Sequence, residues 1–437
     1  MTTPSPHPRS RRLAPLLAIG VLTITAALVS CRSFAPSSSV ESVEAEPEVR
    51  VRILARSAQV VVAGPAFIRV TDENDGTDIL NAPLTLLPWP DKTRGLRVTD
   101  ARGTTWSIPS GVHLAGVSSD GKPVPTPLEL AGAKYLGSLF VRPSVGEPGG
   151  LDAINITPIE PYIAGVISKE LYPRWPEETF CVQAVCARSY ALHQSRRARA
   201  SGRDYDLEAT TADQVFPGLT DHVAANNAAR RTRGIILTYR GAVLRTYYSS
   251  TCGGRSSSAR DVWGLADGLA YNRLAPLQAH ARDVACQPSP LYRWEVSRSV
   301  DDLSRRIAAW GKANSMSIRR LGRVRSIRVE KANDQGRPVR YAIVDDLGRS
   351  FLLAAEQLRV ASNFAVPELP PIERATRVHS GDFTVRVEAE SVTISGRGFG
   401  HGVGMCQFCA KGMSDEGVDW RTMLKAFYPG ATFDRAF

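Results

Sequence analysis

The sequence has no internal repeat, no regular alternation of strand and helix patterns, and no RNA- or DNA-binding motif. The first absence excludes a solenoid. The second excludes a doubly wound sheet, which needs repeated strand–helix–strand units. A glycine-rich run near the C-terminus, GRGFGHGVGM, fits no nucleotide-loop spacing and no P-loop lysine follows it, so it reads poorly as a phosphate cradle. Acidic side chains are in deficit: 43 Asp and Glu face 54 Lys and Arg, for a formal net charge of +11. Such a balance favours an acidic partner, whether nucleic acid, anionic lipid headgroups or a carboxylate-bearing cell wall. Cysteine is scarce, with seven in 437 residues. What the chain does have is an ordinary globular composition, 43% hydrophobic and 22% charged, enough for a large buried core.

Arg9, Arg11 and Arg12 precede an apolar stretch from Leu13 to Val29, and the sequence then passes through LVSC at Leu28 to Cys31. A basic start, an apolar run and small residues before a cut site are the parts of an export signal. The stretch is also just long enough to span a bilayer as an uncleaved anchor. A cysteine directly after Leu-Val-Ser resembles the lipobox of bacterial lipoproteins, which implies that Cys31 is lipidated and becomes the new N-terminus. Residues 1–30 are then a signal peptide, and loss of its three arginines leaves a mature charge of +8. The body of the protein is expected outside the cytoplasm, held to the membrane by lipid. That compartment argues against nucleic acid as the partner.

Residues 31–48, rich in Ser, Pro, Ala and Glu, read as a flexible tether. From residue 49 to about 155 short alternating strands follow one another, punctuated by Gly, Pro and Asp. Two helices come next. Glu160 to Glu170 places Tyr162, Ile163, Val166 and Ile167 on one face. After a break at Leu171 to Trp175, a longer helix opens on Pro176, Glu177 and Glu178 and ends in Arg196, Arg197 and Arg199 before Gly202, with charges that suit the helix dipole at both ends. Strands return in GIILTYR and AVLRTYYSS. A helix is expected near Val300 to Lys312, with strands at SIRVEKA, RYAIVDD and SFLLAA, and one more strand in FTVRVEAESVTISG. Closing helices run from Cys406 to Gly412 and from Trp420 to Phe427. The class is α+β, divided into a β-rich part (49–155), a catalytic core (156–290), an α+β insertion (291–380) and a C-terminal core block (381–437).

Four stretches stand out: YIAGVISKELYPRWPEETFCVQAVCARSYAL from Tyr162, TTADQVFPG at Thr210 to Gly218, TRGIILTYRGAVLRTYYSSTCGGRSS from Thr232, and GRGFGHGVGMCQFCAKGM at Gly396 to Met413. In this order and spacing they resemble the stage II sporulation protein D (SpoIID) family, whose pattern runs YL-GVV-EMP-WP-EALKAQAVAARTYAL, a QVY-G turn, a YHST-GG loop and GHGVGMSQYGA. The resemblance covers roughly residues 50–437. It implies a lytic transglycosylase that cuts the MurNAc–GlcNAc bond of peptidoglycan, preferably in strands stripped of stem peptides. It also implies a cell-wall amidase as a possible partner, because some relatives are described as enhancers of one.

The family's catalytic glutamate falls on Glu170, in KELYP. Read from the residues alone, Glu170 is a solvated charge at a helix end; the resemblance makes it the general acid. As that acid it must be protonated near neutral pH, in an apolar setting that Leu171, Tyr172 and Trp175 are placed to supply. Arg188, on the long helix among Val185, Ala187 and Ala191, needs an anionic partner: the lactyl carboxylate of muramic acid, Glu170, or a structural acid. Tyr190, Tyr247 and Tyr248 are candidates for stacking on sugar rings or for core packing. Ser250, Thr251, Gly253 and Gly254 offer hydroxyls and close backbone approach to a polar substrate. The family's histidine before Ser-Thr is replaced by Ser249. His401 and Gln407 are further substrate-binding candidates, with His401 equally readable as a neutral histidine anchoring the glycine-rich turn. No cofactor is required by this chemistry.

Six cysteines remain once Cys31 is assigned to lipid: Cys181, Cys186, Cys252, Cys286, Cys406 and Cys409. Cys181 and Cys186 are five apart and point about 140° away from each other on a helix, so they are badly placed to pair together. Both positions, like Cys406 and Cys409, depart from the family pattern. An oxidising compartment makes the expectation a disulfide from Cys181 or Cys186 to Cys406 or Cys409, with Cys252 and Cys286 as the other pair. A four-cysteine zinc site is the rival, since CxxC is a common half-site, and in some family members cysteines near Cys252 hold a structural zinc.

Overall fold

The structure is a computed structural model that describes residues 45–89, 95–146, 149–266, 268–281 and 284–437. The export segment, Cys31 and the tether up to residue 44 lie outside the described residues. Among those described, no helix is long and apolar enough to cross a membrane.

The alternation in EVRVRILARS makes the first strand two-faced. Along Glu48–Ser57, Val49 and Val51 are fully buried, while Arg50 and Arg52 lie on the other side and pair with Asp206 and Glu208. This strand sits in a seven-stranded sheet of order Leu207–Glu208, Glu48–Ser57, Leu151–Pro158, Ser138–Pro143, Val112–Val117, Phe67–Asp72, Thr77–Asn81. Its pairings are antiparallel except that of Glu48–Ser57 with Leu207–Glu208. A six-stranded antiparallel sheet, Ala133–Tyr135, Leu128–Leu130, Val60–Ala63, Leu84–Pro88, Leu96–Thr99, Thr105–Ile108, buries its apolar residues in the same core cluster. The β-rich start of the sequence is therefore two sheets on one core.

Helix α1 (Ile159–Glu170) follows directly from the strand Leu151–Pro158, and its Tyr162, Ile163, Val166 and Ile167 are all fully buried. Helix α2 (Glu177–Ala200), capped by Pro176, passes through the core: every residue from Thr179 to Ser189 has zero exposure. A helix buried on all sides carries no amphipathic stripe, and here it consists largely of small residues that let neighbours approach. Its first-turn Glu177 and Glu178 each meet Arg231 at 2.7 Å, at the end of α3 (Val223–Arg231). The short α4 (Ala259–Trp263) follows.

A second apolar cluster runs from Trp294 to Ile394, separate from the first, which resumes at Val403. It is built from α5 (Val300–Ala313), the antiparallel strands Val324–Ala332, Pro338–Asp345 and Ser350–Ala354, α6 (Ala355–Ser362), and a sheet of Trp294–Ser299, Ser391–Gly396 and Phe383–Val387. The chain then closes with α7 (Gln407–Asp415) and α8 (Trp420–Phe427).

Two expected strands differ. FTVRVEAESVTISG is a hairpin, because Glu388, Ala389 and Glu390 are exposed and turn the chain, with the Glu388 N–H donating to the Ser391 carbonyl at 2.9 Å. AVLRTYYSS keeps strand pairing only at Ala242–Val243 and Tyr248–Ser249. Between them every side chain from Val243 to Tyr247 is buried, which a pleated strand with two faces does not allow beside a single sheet.

Candidate functional site

Glu170 is the last residue of α1, where Leu171 turns to extended backbone and Pro173 follows. The helix is seated by Gly165: a Cβ there would lie 2.4 Å from the Gly218 carbonyl oxygen, so only glycine lets α1 approach the Thr210–Gly218 loop this closely. That approach brings Gln214 to Tyr162, whose hydroxyl donates to the Gln214 Oε1 at 3.0 Å. The Gln214 Nε2 donates in turn to the Tyr248 hydroxyl at 2.9 Å, and Tyr248 hydrogen-bonds the Glu170 carboxylate. From the other side, Gln407 Nε2 donates to Glu170 Oε2 at 3.1 Å and to Gln183 Oε1 at 3.3 Å. Gln407 opens α7, which the parallel pairing of Tyr248–Ser249 with Met405–Cys406 sets beside the loop. Gly404 permits this, since a Cβ on it would lie 2.2 Å from the Tyr247 carbonyl oxygen.

Burial raises the Glu170 pKa above the ordinary carboxylate value; the hydrogen bonds from Gln407 and Tyr248 oppose that shift without cancelling it. Its place at a helix C-terminus, the negative end of the dipole, disfavours ionisation too. Tyr172, Trp175 and Phe408 form an aromatic wall beside it, with centroids 5.2 Å (Tyr172 to Trp175) and 4.9 Å (Trp175 to Phe408) apart. Two clefts lie against the residues around it. One, of about 410 Å³, is lined by Tyr190, Tyr247, Tyr248, Trp263, Arg245 and His401 among others. The second, of about 360 Å³, takes in Tyr172, Ser250, Phe399 and Phe408.

Not every candidate from the sequence stands at these clefts. Arg188 does not face Glu170: its Nε and Nη2 donate to the two oxygens of Glu160 at 2.9 and 2.7 Å, with full burial, so it is a structural ion pair. Thr251 is buried against Ser289, their hydroxyl oxygens 2.8 Å apart. Gly253 lies against Gly398, where a Cβ would meet the backbone nitrogen at 2.7 Å, and Gly254 packs on Tyr292. These three hold the loop to the glycine-rich segment, and Ser250 alone of that group lines a cleft. Ser249, at the family's histidine position, accepts from the Gly402 N–H at 3.2 Å. His401 does both things proposed for it. Its Nδ1 accepts from the Val403 N–H at 3.0 Å, its ring meets Trp263 in the cleft, and burial pushes its pKa down to about 4, so it is neutral. Tyr190 and Tyr248 line the cleft, and Gln407 holds Glu170. The sequence reading missed Gln214, Gln183 and Arg245. Gln214 lies in the TTADQVFPG stretch, while Gln183 and Arg245 are polar residues set in apolar runs, a pattern that marks buried polar contacts.

The cysteine expectation is overturned. Cys406 and Cys409 do not meet Cys181 or Cys186. They lie with Cys252 and Cys286, all four buried, with their sulfurs within 4.8 Å of one another. The Cys252 Sγ is 3.6 Å from that of Cys286 and 3.7 Å from that of Cys409, too far for a disulfide bond. Backbone N–H groups of Cys252 and Cys409 donate to the Cys406 Sγ at 3.2 and 3.4 Å. Cys181 and Cys186 are buried thiols on α2, each pushed up to about 12 by burial, which leaves them unreactive. The geometric reason is that α7 packs its start against the Ser250–Gly254 loop as well as against α2. The four-sulfur cluster could hold a metal ion.

Comparison with known proteins agrees with this geometry. Residues 147–239, which include α1, α2, α3 and Glu170, match the SpoIID family, described as stage II sporulation protein. Residues 258–404 match a domain of unknown function, DUF8618. The chain is 28% identical to an uncharacterized protein of Brachyspira hyodysenteriae, over 69% of this chain and 72% of that one. It is 27% identical to the amidase enhancer of Bacillus subtilis over 62% of this chain, spanning only 40% of that longer protein. It is 23% identical to stage II sporulation protein D of Bacillus subtilis, over 74% of this chain and 87% of that one. These likenesses support an assignment to the stage II sporulation protein D family, whose model the chain matches over residues 147–239.

Proposed function

We propose that this protein cleaves the glycan strands of peptidoglycan at the MurNAc–GlcNAc bond, with Glu170 as the general acid. The observation that carries the reading is a carboxyl with a raised pKa, held by neutral groups, Gln407 and Tyr248, of which Tyr248 lines a cleft. A proton that stays on at neutral pH can pass to the glycosidic oxygen as the C1–O bond breaks. Hydrolases of glycosidic bonds usually set a second carboxylate opposite the first. The groups bonded to Glu170 are an amide and a phenol, which suits a route with one carboxyl. In that route the sugar's own C6 hydroxyl attacks C1, and its proton returns to the Glu170 carboxylate. The products are a strand with a free 4-hydroxyl and a 1,6-anhydro sugar, with no water consumed.

The four-cysteine cluster supports a structural zinc. A tetrahedral ion with Zn–S bonds of ~2.3 Å separates its sulfurs by ~3.8 Å, close to the 3.6 and 3.7 Å found here. Bound zinc would hold the Ser250–Gly254 loop to the start of α7, and so would fix Gln407 beside Glu170.

A second reading is a non-catalytic activator of a cell-wall amidase, favoured by the likeness to the amidase enhancer. The Glu170→Gln variant separates the two. It keeps the shape and loses the acidic proton, so cleavage of glycan strands should fall about 10²–10⁴-fold. Cleavage within twofold of the parent would remove Glu170 from the chemistry.

A further inference from the structure

The strands Val324–Ala332 and Pro338–Asp345 of the second apolar cluster are joined by a turn from Asn333 to Arg337. Asn333 shapes it. Its Oδ1 accepts from the N–H groups of Gln335 and Arg337, each at 3.0 Å, and its own N–H donates to the Arg337 carbonyl at 2.9 Å. The tip is therefore formed by bonds within itself, before any surface it meets.

That surface is the chain after Ser250 and the glycine-rich turn. Asn333 Nδ2 donates to the Ser256 carbonyl at 2.9 Å, and Arg255 donates back to the Gly336 carbonyl. Arg337, 2% exposed, goes further. Its Nη1 donates to the carbonyls of Cys252 and Arg255 at 3.2 and 3.0 Å, and its Nη2 to that of Gly400 at 3.2 Å. Gly402 leaves room for the guanidinium, since a Cβ there would lie 2.6 Å from Nη1. The nearby acid is Asp382, 3.4 Å from Arg255 Nε; burial raises its pKa, and the charges of Arg337 and Arg255 oppose that. A tip that only seated the second cluster would need no more than the bonds of Asn333 and Arg255. The planar fork of Arg337 instead ties two segments to each other.

Those segments carry walls of both clefts. Ser250 and Phe399 line the 360 Å³ cleft, and His401 lines the 410 Å³ one. The chain between Trp294 and Ile394 adds Glu356 to the larger cleft, and Arg374, Arg377 and His379 to the smaller. Arg337 is not among the lining residues of either cleft, so it acts through its neighbours.

We infer that the second apolar cluster is a working part of the glycan site, and that Arg337 is its positioning residue. It sets the spacing between the Ser250–Gly254 loop and the turn from Phe399 to Gly402, so that their side chains meet a glycan strand together. The inference rests on the substrate proposed above and gives this part of the chain a role in grip, separate from proton transfer.

The test separates grip from chemistry. Arg337→Met removes the donors of three carbonyls, while Arg337→Lys keeps the charge and replaces the fork by a point. With peptide-free glycan strands, Arg337→Met should raise KM about tenfold and leave kcat within about threefold, the mark of binding lost equally from ground and transition states. The alkaline limb of the pH profile should stay in place, because Gln407 and Tyr248 still hold Glu170. A merely structural loss would lower the active fraction, and so kcat, and leave KM alone. Arg337→Lys should fall between parent and Arg337→Met. Calorimetry on the Glu170→Gln chain should show a similar loss of affinity for the strands when Arg337→Met is added. A folded Arg337→Met chain with unchanged KM and affinity overturns the inference, as does one that loses kcat or moves the limb at unchanged KM. If Arg337→Met does not fold, Arg337→Lys decides, and affinity equal to the parent's overturns it. Binding that depends on Arg337 without cleavage by the parent would sink the cleavage chemistry alone; cleavage indifferent to Arg337 would sink this inference alone.

Discussion

Glu160 and Glu170 stand at opposite ends of one helix and have opposite settings. Glu160 takes two hydrogen bonds from Arg188 and one from the Gly234 N–H at 2.9 Å, so its charge is matched. Glu170 is held by neutral groups, and burial raises its pKa. Glu160→Gln should therefore leave Arg188 uncompensated in the core and cost about 3–5 kcal/mol of stability. A calorimetric loss under 1 kcal/mol would contradict the pairing. For Glu170 the sign runs the other way. Its folded pKa lies above the unfolded one, so it favours the fold at acid pH, and that contribution is lost as pH rises from the unfolded value toward the folded one. Activity that needs the proton should fall through the folded value on its alkaline side. Tyr248→Phe removes a hydrogen bond to the ionised form and should move that limb to higher pH; a limb that stays put or moves down would show that Tyr248 does not set it. None of this was legible in KELYP. The sequence names the glutamate through its family likeness, but the groups that tune it come from stretches 78 and 237 residues away, at Tyr248 and Gln407.

Elements with one buried face were readable, and those without one were not. α1 and α5 show their apolar stripes in the sequence. α2 is buried on all sides and is recognised by its acidic start and basic end instead. α3, VAANNAARR, has only alanines to bury and gives no periodic signal, so it was missed. The cysteines misled for a related reason. Joint departure from a family pattern suggests contact, but it does not say which contact, and α7 touches both α2 and the Ser250–Gly254 loop. If zinc fills the cluster, purified protein should carry one zinc per chain by elemental analysis. Cys409→Ser should lower both the zinc content and the melting temperature, whereas Cys181→Ala should leave the zinc in place. Four alkylatable thiols in metal-free protein of unchanged melting temperature would rule the zinc out.

At the scale of the whole molecule, the SpoIID match covers the helices that carry Glu170, and the second apolar cluster contributes Glu356 to the wall of the same cleft. Export would place this site where peptidoglycan is, and the LVSC stretch supports a lipid anchor at Cys31. Cys31→Ser should move the protein from the membrane fraction to the soluble one; an uncleaved chain that stays with the membrane would mean that Leu13 to Val29 is itself the anchor. The central claim is that this chain cuts glycan strands by itself. Its most direct test is mass spectrometry of peptide-free glycan strands incubated with purified protein, alone and with a cell-wall amidase present. The account predicts shortened strands ending in a 1,6-anhydro sugar, produced without the amidase. Strands of unchanged length, with amidase activity raised by the added protein, would contradict it.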